Sequence, residues 1–378
     1  MSGAIENNSS RSSGSVTTKG SGITLSTGDP TVSTNPASLG TMFVNTTSGE
    51  AYVCTDITAG SNVWTNMGDG TGDIEPWYMI TSTTSFFVLM GYNSVATANI
   101  ARIDRFALAS DGNATDWGDT FSPARVPGTS QSATHGYAHG GYHDSNGDTN
   151  VIQKFAKSSA SDATDVANLT FAGRYLNGMS GVGYGYLGGG YPPAAGITTI
   201  QKYAHTSDAD ATNIGTLANT DYGKRGNQSE TYGYMFGGVR SSSHMDDIDK
   251  IAFSNDSYSA NVASLVSGVT MSSTATADGY VLLAGAYSAS HDHKIDKFAT
   301  ASDNDSVATG GTLNVPKTGD ACGGSSTTHG YIAGGYASGE VSHNGVEKYS
   351  LNISSGTSTD VGDLHTGLSH FAGQGCQY

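Results

Sequence analysis

Histidine is the residue type in this chain best suited to bind a metal or to transfer a proton near neutral pH. Five histidines follow glycine-rich aromatic motifs in several parts of the sequence, at His143, His244, His291, His293 and His343. A zinc-type site needs three or four ligands within a few ångströms of one another. Loops from separate repeats seldom converge that closely, so we interpret these histidines as polar binding-loop residues. No metal or other cofactor is predicted.

Five tyrosines end the same glycine-rich motifs, at Tyr92, Tyr142, Tyr191, Tyr287 and Tyr336. Their neighbours are Asn, Asp, Ser and His. Aromatic rings beside such groups suit carbohydrate recognition, because the ring covers the apolar face of a sugar while polar groups bond its hydroxyls. The alternative is that these tyrosines cap packing inside the fold. Where they are exposed, they and the five histidines are the candidate ligand-binding residues.

Catalytic motifs are missing from the sequence. It has no GxSxG, HExxH, CxxC or phosphate-loop pattern. Asp144, Asn146 and Asp148 resemble the start of a calcium loop, but the later glycine and bidentate glutamate are absent, which favours an acidic turn. We therefore predict a binding protein rather than an enzyme. Two carboxylates from distant repeats could still meet to hydrolyse a polysaccharide, and that alternative stays open.

Composition narrows the possible partners. The net charge of −16 disfavours nucleic-acid binding, because the chain repels phosphates. No apolar run reaches the length of a membrane span, so no membrane insertion is expected, and the first residues lack the apolar core of a secretory signal. Cys54, Cys322 and Cys376 are too few for a disulfide framework. Contact between Cys322 and Cys376 stays open, since sequence does not supply the geometry.

The elements that position these residues repeat along the chain. Gly-aromatic-Gly-Gly motifs place aromatic anchors at Phe87, Tyr137, Tyr186, Tyr234, Tyr280 and Tyr331, and Tyr378 falls where a seventh would stand. The intervals are 50, 49, 48, 46, 51 and 47 residues. An IxKF-like motif runs in phase, ending at Phe106, Phe155, Tyr203, Ile251, Phe298 and Tyr349. A period near 50 with about four short strands predicts an all-β fold, a six-bladed β-propeller of kelch type over residues 77–378.

Each repeated feature carries a structural expectation. Glycine pairs should let backbones approach closely near the axis. The aromatic of the IxKF strand should pack between blades, and the preceding Lys or Arg should stay in water. Recurrent aspartates should form turns through nearby backbone amides, at Asp111, Asp208, Asp256 and Asp303. Residues 366–378 should complete the first blade, with residues 77–84 as a competing segment.

The repeat region resembles kelch and galactose-oxidase-type propellers. It departs from them in lacking the usual late tryptophan, since only Trp117 occurs, in the first repeat. No motif around Cys322 or Cys376 matches the copper site of galactose oxidase, so that activity is not expected. Before the repeats, residues 1–37 indicate an extended arm and residues 38–76 a small β-hairpin module. The hairpin is expected at residues 42–44 and 51–54, with a turn at 46–49, and needs a partner or symmetry mate.

The hairpin resembles small modules of tailed-phage fibres and other virion proteins, particularly those of marine phages that infect cyanobacteria. The matching positions are Gly40, Asn45, Thr46, Tyr52 and Trp64. The resemblance implies a virion structural protein, assembled in the host cytoplasm. Its arm would dock on other virion proteins, and its propeller would bind a host surface glycan or protein as a tail-fibre or adsorption component. Alternatives are a capsid decoration or head-fibre protein and a polysaccharide-acting kelch-type enzyme. Fibre architecture suggests a homo-oligomer, with a trimer as the guess.

Overall fold

The computed structural model describes residues 23–67, 84–191, 197–288, 291–315, 317–337, 341–368 and 375–377. This described part is all-β and contains no helix. The chain divides into two compact units, Met1–Pro76 and Trp77–Tyr378. The expected seventh anchor at Tyr378 lies outside the described residues.

The first unit contains a four-stranded sheet. In spatial order its strands are Ile23–Ser26, Met42–Asn45, Ala51–Asp56 and Val63–Asn66. The first pair is parallel and the others are antiparallel, so the hairpin expected at residues 42–54 is present. Its turn forms because the Asn45 side-chain oxygen accepts the N–H groups of Thr47 at 2.9 Å and Ser48 at 3.2 Å.

Part of the segment expected to be an extended arm joins this sheet. Ile23–Ser26 covers one edge of Met42–Asn45, whose backbone groups would otherwise stay unpaired. Further along, the Asn62 amide donates to the Val32 carbonyl at 2.9 Å, and the Trp64 indole N–H donates to the Thr34 carbonyl at 3.2 Å. The described residues before position 37 therefore belong to the same small fold as the hairpin.

The second unit contains six antiparallel sheets, numbered 1 to 6 along the chain. Sheets 1 to 5 have four strands, and sheet 6 has six because two short strands join its four main ones. Sheet 1 comprises Cys376–Gln377, Ser85–Leu89, Ile103–Ala107 and Thr115–Gly118; sheet 2 Gly128–Gln131, His135–His139, Val151–Ala156 and Thr164–Asn168; sheet 3 Met179–Gly181, Tyr184–Gly188, Thr199–Ala204 and Thr212–Thr216. Sheet 4 comprises Arg225–Gln228, Tyr232–Phe236, Asp247–Ala252 and Tyr258–Ser264; sheet 5 Ser273–Ala277, Tyr280–Tyr287, His291–Ala299 and Val307–Thr312; sheet 6 Cys322–Ser325, His329–Ala333, Val341–Ser350 and Thr359–Leu368. Short strands add to the connections, at Tyr92–Asn93, Ala98–Asn99, Tyr142–His143, Gly147–Asp148, Val239–Arg240, Ser243–His244, Lys317–Thr318 and Tyr336–Ala337.

The aromatic anchors lie on the second strand of each sheet. Tyr137, Tyr186, Tyr234 and Tyr331 are each 1% exposed. In sheet 5 the anchor expected at Tyr280 is wrong, because Leu282 lies opposite Lys297 just as Tyr234 lies opposite Lys250. Tyr280 lies two residues before Leu282 on the same strand. Because side chains two residues apart point to the same face of a sheet, the alternation of apolar and polar residues does not distinguish the two positions.

The aromatic residues of the IxKF strands pack between successive sheets, as predicted. Six buried apolar clusters each join two sheets. In one of them Phe155 of sheet 2 contacts Phe87 of sheet 1, with ring centres 5.3 Å apart. Another brings Phe106 of sheet 1 to 5.8 Å from Tyr331 of sheet 6. The last sheet thus shares a core with the first.

The glycine pairs allow close backbone approach, as predicted, because a Cβ at Gly140 would lie 2.6 Å from the Gly173 carbonyl oxygen and one at Gly237 would lie 2.3 Å from that of Val269. Gly140 and Gly141 have φ values of 63° and 111°, which few other residues adopt, so the pair forms a turn that leaves the strand. Close backbone approach also occurs at single glycines at or just before the first strands. A Cβ at Gly178 would overlap the Thr129 carbonyl, and one at Gly226 would overlap the carbonyl of Gly178.

The lysines of the IxKF strands were expected to remain in water. Four of them instead form ion pairs with an aspartate of the next sheet. Lys250 Nζ lies 2.6 Å from an oxygen of Asp303, and Lys348 Nζ lies 2.9 Å from Asp111, which joins sheet 6 to sheet 1. The complete set in the described residues is Lys154–Asp208, Lys202–Asp256, Lys250–Asp303 and Lys348–Asp111. The turn role is confirmed for three of these aspartates, which have positive φ: Asp111, Asp208 and Asp256. Their carboxylates, however, bind lysine rather than local amides.

The prediction that residues 366–378 complete sheet 1 is confirmed for Cys376–Gln377, whereas residues 366–368 end the fourth strand of sheet 6. Cys376 pairs with Phe87 and Gln377 with Phe86 in an antiparallel register. Of the competing segment at residues 77–84, all but the last residue lies outside the described part. Sheet 6 also bonds sheet 1 directly, because the Gly112 N–H donates to the Val361 carbonyl at 2.7 Å.

Candidate ligand-binding surface

The candidate tyrosines gather at one end of the sheets. Connections between antiparallel strands alternate between the two ends. The connections from second to third strand, and from each sheet to the next, therefore share one end, which we call the tyrosine end. The connections from first to second and from third to fourth strand lie at the other, which we call the lysine end because the Lys–Asp pairs lie there.

Two arginines join three of the candidate tyrosines into a stack. The guanidinium carbon of Arg125 lies 4.7 Å from the ring centre of Tyr92 and 4.8 Å from that of Tyr142. The guanidinium carbon of Arg174 lies 4.5 Å from the ring centre of Tyr142 and 5.1 Å from that of Tyr191. We call these five side chains the arginine–tyrosine ladder. Each such contact stabilises by about 0.5–1 kcal/mol at a partly exposed position.

A repeated backbone turn creates this arrangement. Arg125 and Tyr142 exchange two backbone hydrogen bonds, of 3.1 and 2.9 Å. The residue after each arginine is left-handed, with φ of 50° at Val126 and 54° at Tyr175, and the Tyr175 N–H donates to the Val126 carbonyl at 3.0 Å. A β-branched residue at such a φ is a genuine outlier. Corresponding positions in sheets 4 to 6 are also left-handed, at Gly223, Met271 and Asp320.

The acidic turn at residues 144–148 neutralises the ladder. Asp144 lies 3.8 Å from Arg125, and Asp148 lies 3.6 Å from Arg174. The two carboxylates therefore face two different arginines, which agrees with the acidic-turn interpretation of this loop. Burial raises the pKa of Asp148 even though the Arg174 guanidinium opposes that rise.

Stacking decides which atoms of the ladder can meet a ligand. Tyr142 has two guanidinium groups within 5 Å of its ring centre, so little of its ring face is left for a sugar. The side chains of Arg125 and Arg174 remain 27% and 23% exposed. What the ladder presents is the edges of its stacked groups, with guanidinium N–H groups and phenol hydroxyls.

Tyr222 extends the aromatic surface beyond Tyr191. Its ring lies 5.2 Å from that of Tyr191 and 5.8 Å from that of Tyr175. The sequence interpretation did not select Tyr222, Arg125 or Arg174. Their common position just before the first strand of each repeat, at intervals of 49 and 48 residues, was the signal that could have found them.

The remaining candidate tyrosines lie apart from the ladder. Tyr287 is the most exposed of the five, at 41%, and its ring meets that of His244 edge to face at 5.3 Å. Tyr336 is half-buried and pairs with Thr318 beside sheet 6. The structure therefore brings together Tyr92, Tyr142 and Tyr191, but not all five.

The candidate histidines do not converge. His143 is buried, with its Nε2 3.2 Å from the Ser122 hydroxyl, and burial lowers its pKa. His343 accepts the Gly345 N–H at 2.9 Å through Nδ1, and His293 is exposed. The side chain of His291 lies outside the described residues. Over the part of the chain that the structure describes, no three His, Cys, Asp or Glu side chains are grouped to hold a metal.

Buried carboxylates near the tyrosine end are held by cations. Asp221 accepts the Nε of Arg240 at 2.7 Å and lies 3.2 Å from Lys224. Asp320 lies 3.0 Å from Arg225. Glycoside hydrolysis needs one accessible carboxylic acid and one accessible carboxylate, whereas Asp221, Asp320 and Arg225 are nearly inaccessible to solvent. These contacts favour structural roles for the three.

No protein-family model matches this chain, and no curated protein sequence matches it. None of the described segments is a helix that could span a bilayer. The functional proposal therefore depends on the geometry above and on the resemblance drawn from the residues.

Proposed function

We propose that the unit Trp77–Tyr378 is a six-bladed β-propeller in which each sheet is one blade. Three observations support this: six sheets that each contain four main antiparallel strands, a buried cluster between every successive pair including sheets 6 and 1, and a C-terminal strand that pairs in sheet 1. Closure of this kind leaves few exposed sheet edges. The spacing of the repeats resembles that of kelch propellers.

The proposed function is binding, and the arginine–tyrosine ladder is the observation that carries it. Stacking and ion pairing hold its donors in fixed positions before any ligand arrives, which lowers the entropic cost of binding. A row of N–H and O–H donors suits the hydroxyls of a glycan. Because Asp144 and Asp148 offset the two arginine charges, and the chain carries −16 overall, the ligand is a neutral glycan rather than an acidic one.

The biological setting is proposed from the resemblance to phage virion modules. In that setting the protein is a virion structural protein, a tail-fibre or adsorption component. Its N-terminal segment docks on other virion proteins, its propeller meets a host surface glycan or protein, and the protein forms a homo-oligomer. A capsid decoration or head-fibre protein is the competing position on the particle. Electron cryo-microscopy of intact particles separates the two, since the protein's density lies either at the tail or on the capsid, and its absence from particles contradicts both.

Ladder binding is tested by glycan-array affinities of two matched variants. Tyr142→Ala removes the central ring of the ladder. Tyr232→Ala removes a tyrosine with a lysine 4.6 Å from its ring centre at the lysine end, so it is the control. We expect Tyr142→Ala to weaken binding of neutral glycans by about tenfold or more, with Tyr232→Ala unchanged and little effect of salt. Equal binding by both variants contradicts the ladder as the site.

A further inference from the structure

A second cleft opens at the lysine end, far along the strands from the ladder. It lies where the connection at residues 351–358 of sheet 6 faces Asp111 of sheet 1, and its volume is about 540 Å³. Small-molecule sites usually measure about 300–1,000 Å³. Its lining includes Asp111, His329, Lys348, Asn352, Ser355 and Thr357.

One wall of this cleft is fixed without a ligand. The connection docks on sheet 5, because the Thr312 N–H donates to the Gly356 carbonyl at 2.9 Å and the Ser358 N–H donates to the Thr312 carbonyl at 2.8 Å. The Tyr280 hydroxyl donates to the Leu351 carbonyl at 3.0 Å. Preformed walls of this kind spare a ligand the cost of ordering the loop.

A glycine leaves the space that this docking needs. A Cβ at Gly311 of sheet 5 would lie 2.5 Å from the Ile353 side chain, so a larger residue there would force that side chain to move. The shape of the cleft is thus built by two sheets together.

The cleft is polar but carries little net charge. Asp111 and Lys348 neutralise each other at 2.9 Å. Burial, and next the Lys348 charge, lower the pKa of His329, so its imidazole is neutral at pH 7. The remaining lining supplies hydroxyls and an amide, with Asn352, Ser355 and Thr357 all exposed. Such groups both donate and accept hydrogen bonds.

We propose that this cleft is a second binding site, which takes a small uncharged polyhydroxylated molecule such as a neutral sugar. The many hydroxyl groups of such a ligand match the lining, and an ion would gain little from a neutralised wall. The proposal does not depend on the ladder, since none of its residues belongs to the cleft.

Two serine variants test the proposal. Ser355→Trp fills the cleft from an exposed position, and Ser159→Trp places the same ring on an exposed serine in the corresponding connection of sheet 2. The probes are D-glucose, D-galactose and D-mannose, and binding is followed by saturation-transfer NMR. We expect at least one sugar to bind the wild type and Ser159→Trp equally, and Ser355→Trp about tenfold more weakly or not at all.

The outcomes separate this cleft from the ladder. Sugar signals that disappear in Ser355→Trp but persist in Tyr142→Ala support the cleft, whatever the ladder binds. Signals that disappear only in Tyr142→Ala overturn the cleft and leave the ladder proposal standing. Binding that is the same in Ser355→Trp and Ser159→Trp, including no binding of any of the three sugars, also overturns the cleft.

Discussion

Sheets 4 and 5 follow one another in the chain, whereas sheets 6 and 1 come from opposite ends of the repeat region. In the first interface Tyr234 lies 5.1 Å from Phe298, and in the second Tyr331 lies 5.8 Å from Phe106. Both interfaces therefore place a second-strand tyrosine against the phenylalanine of the next sheet's third strand.

The two interfaces also share a surface ion pair. Lys250 meets Asp303 at 2.6 Å between sheets 4 and 5, and Lys348 meets Asp111 at 2.9 Å between sheets 6 and 1. Adjacent repeats make this contact at a small entropic cost of loop closure. Lys348 and Asp111 make the same contact although they lie 237 positions apart in the sequence. The repeat supplies the same contacts at both interfaces, and only the entropy of joining the ends differs.

One feature belongs to the sheet 6–sheet 1 interface in particular. The first strand of sheet 1 comes from the end of the chain, at Cys376–Gln377. This interface also contains a buried carboxyl, Asp104, which accepts the His365 N–H of sheet 6 at 3.3 Å. The equivalent residues are Gln153 and Gln201 in sheets 2 and 3, and Asp249, Asp296 and Glu347 in sheets 4 to 6.

Deleting residues 375–378 should break the equivalence most strongly. The deletion removes the strand paired with Phe86 and Phe87 and the hydrogen bond from the Gly375 N–H to the Gly323 carbonyl at 2.7 Å. We expect the free energy of unfolding to fall by on the order of 5 kcal/mol, a large share of a domain's stability. Denaturant unfolding measures it, and an unchanged midpoint contradicts the pairing.

Replacing the core phenylalanines should show the equivalence itself. Phe106 and Phe298 are both fully buried, and each contacts a tyrosine of the preceding sheet. We expect Phe106→Ala and Phe298→Ala each to lower the free energy of unfolding by about 3–5 kcal/mol, through lost burial and the cavity left behind. A cost for Phe106→Ala that is less than half of that for Phe298→Ala indicates a loose sheet 6–sheet 1 interface.

Asp104 should make the sheet 6–sheet 1 interface sensitive to pH. Burial raises the pKa of its carboxyl to about 6. The folded state therefore favours the protonated form, and stability is lost as pH rises from about 4 through 6. Asp104→Asn avoids this loss, so above pH 7 we expect the variant to be more stable than the wild type by about 2 kcal/mol.

The pH series supplies its own control. Below about pH 4 Asp104 is protonated in both folded and unfolded states, so the advantage of Asp104→Asn should disappear there. A constant difference at all pH values would mean that the Asp104 carboxyl does not titrate in this range.

The ion pairs should matter least. Double-mutant cycles on Lys348 with Asp111 and on Lys250 with Asp303 should give coupling energies of about 0–1 kcal/mol each, because all four side chains are partly exposed. Both values should fall as salt increases. A coupling for Lys348 with Asp111 several times that of the other pair would indicate that closure depends on this contact.

The sequence predicted the features that depend on spacing within a repeat. The buried positions of Phe106 and Phe298 followed from the IxKF pattern, and the pairing of the last strand with Phe87 followed from counting repeats. The pattern failed where two candidate anchor residues lie on the same face of a strand, as Tyr280 and Leu282 do in sheet 5.

Contacts between repeats were much harder to predict. Arg125 reaches Tyr142 only because the backbone turns left-handed at Val126, and valine gives no sign of that conformation. Three of the Lys–Asp pairs likewise join residues about one repeat apart, and the fourth joins the two ends of the repeat region, so each partner alone resembles an ordinary surface charge. The tyrosines were therefore placed correctly at one end, but the arginines that organise them were missed.

Amide hydrogen exchange followed by mass spectrometry on the full-length protein tests the closing of sheet 6 on sheet 1 most directly. If the two interfaces are equivalent, the amides of Ser85–Leu89 and of His329–Ala333 open with free energies within about 1 kcal/mol of those in Tyr232–Phe236 and Tyr280–Tyr287. Early exchange confined to sheets 1 and 6, with sheets 4 and 5 still protected, would contradict the account.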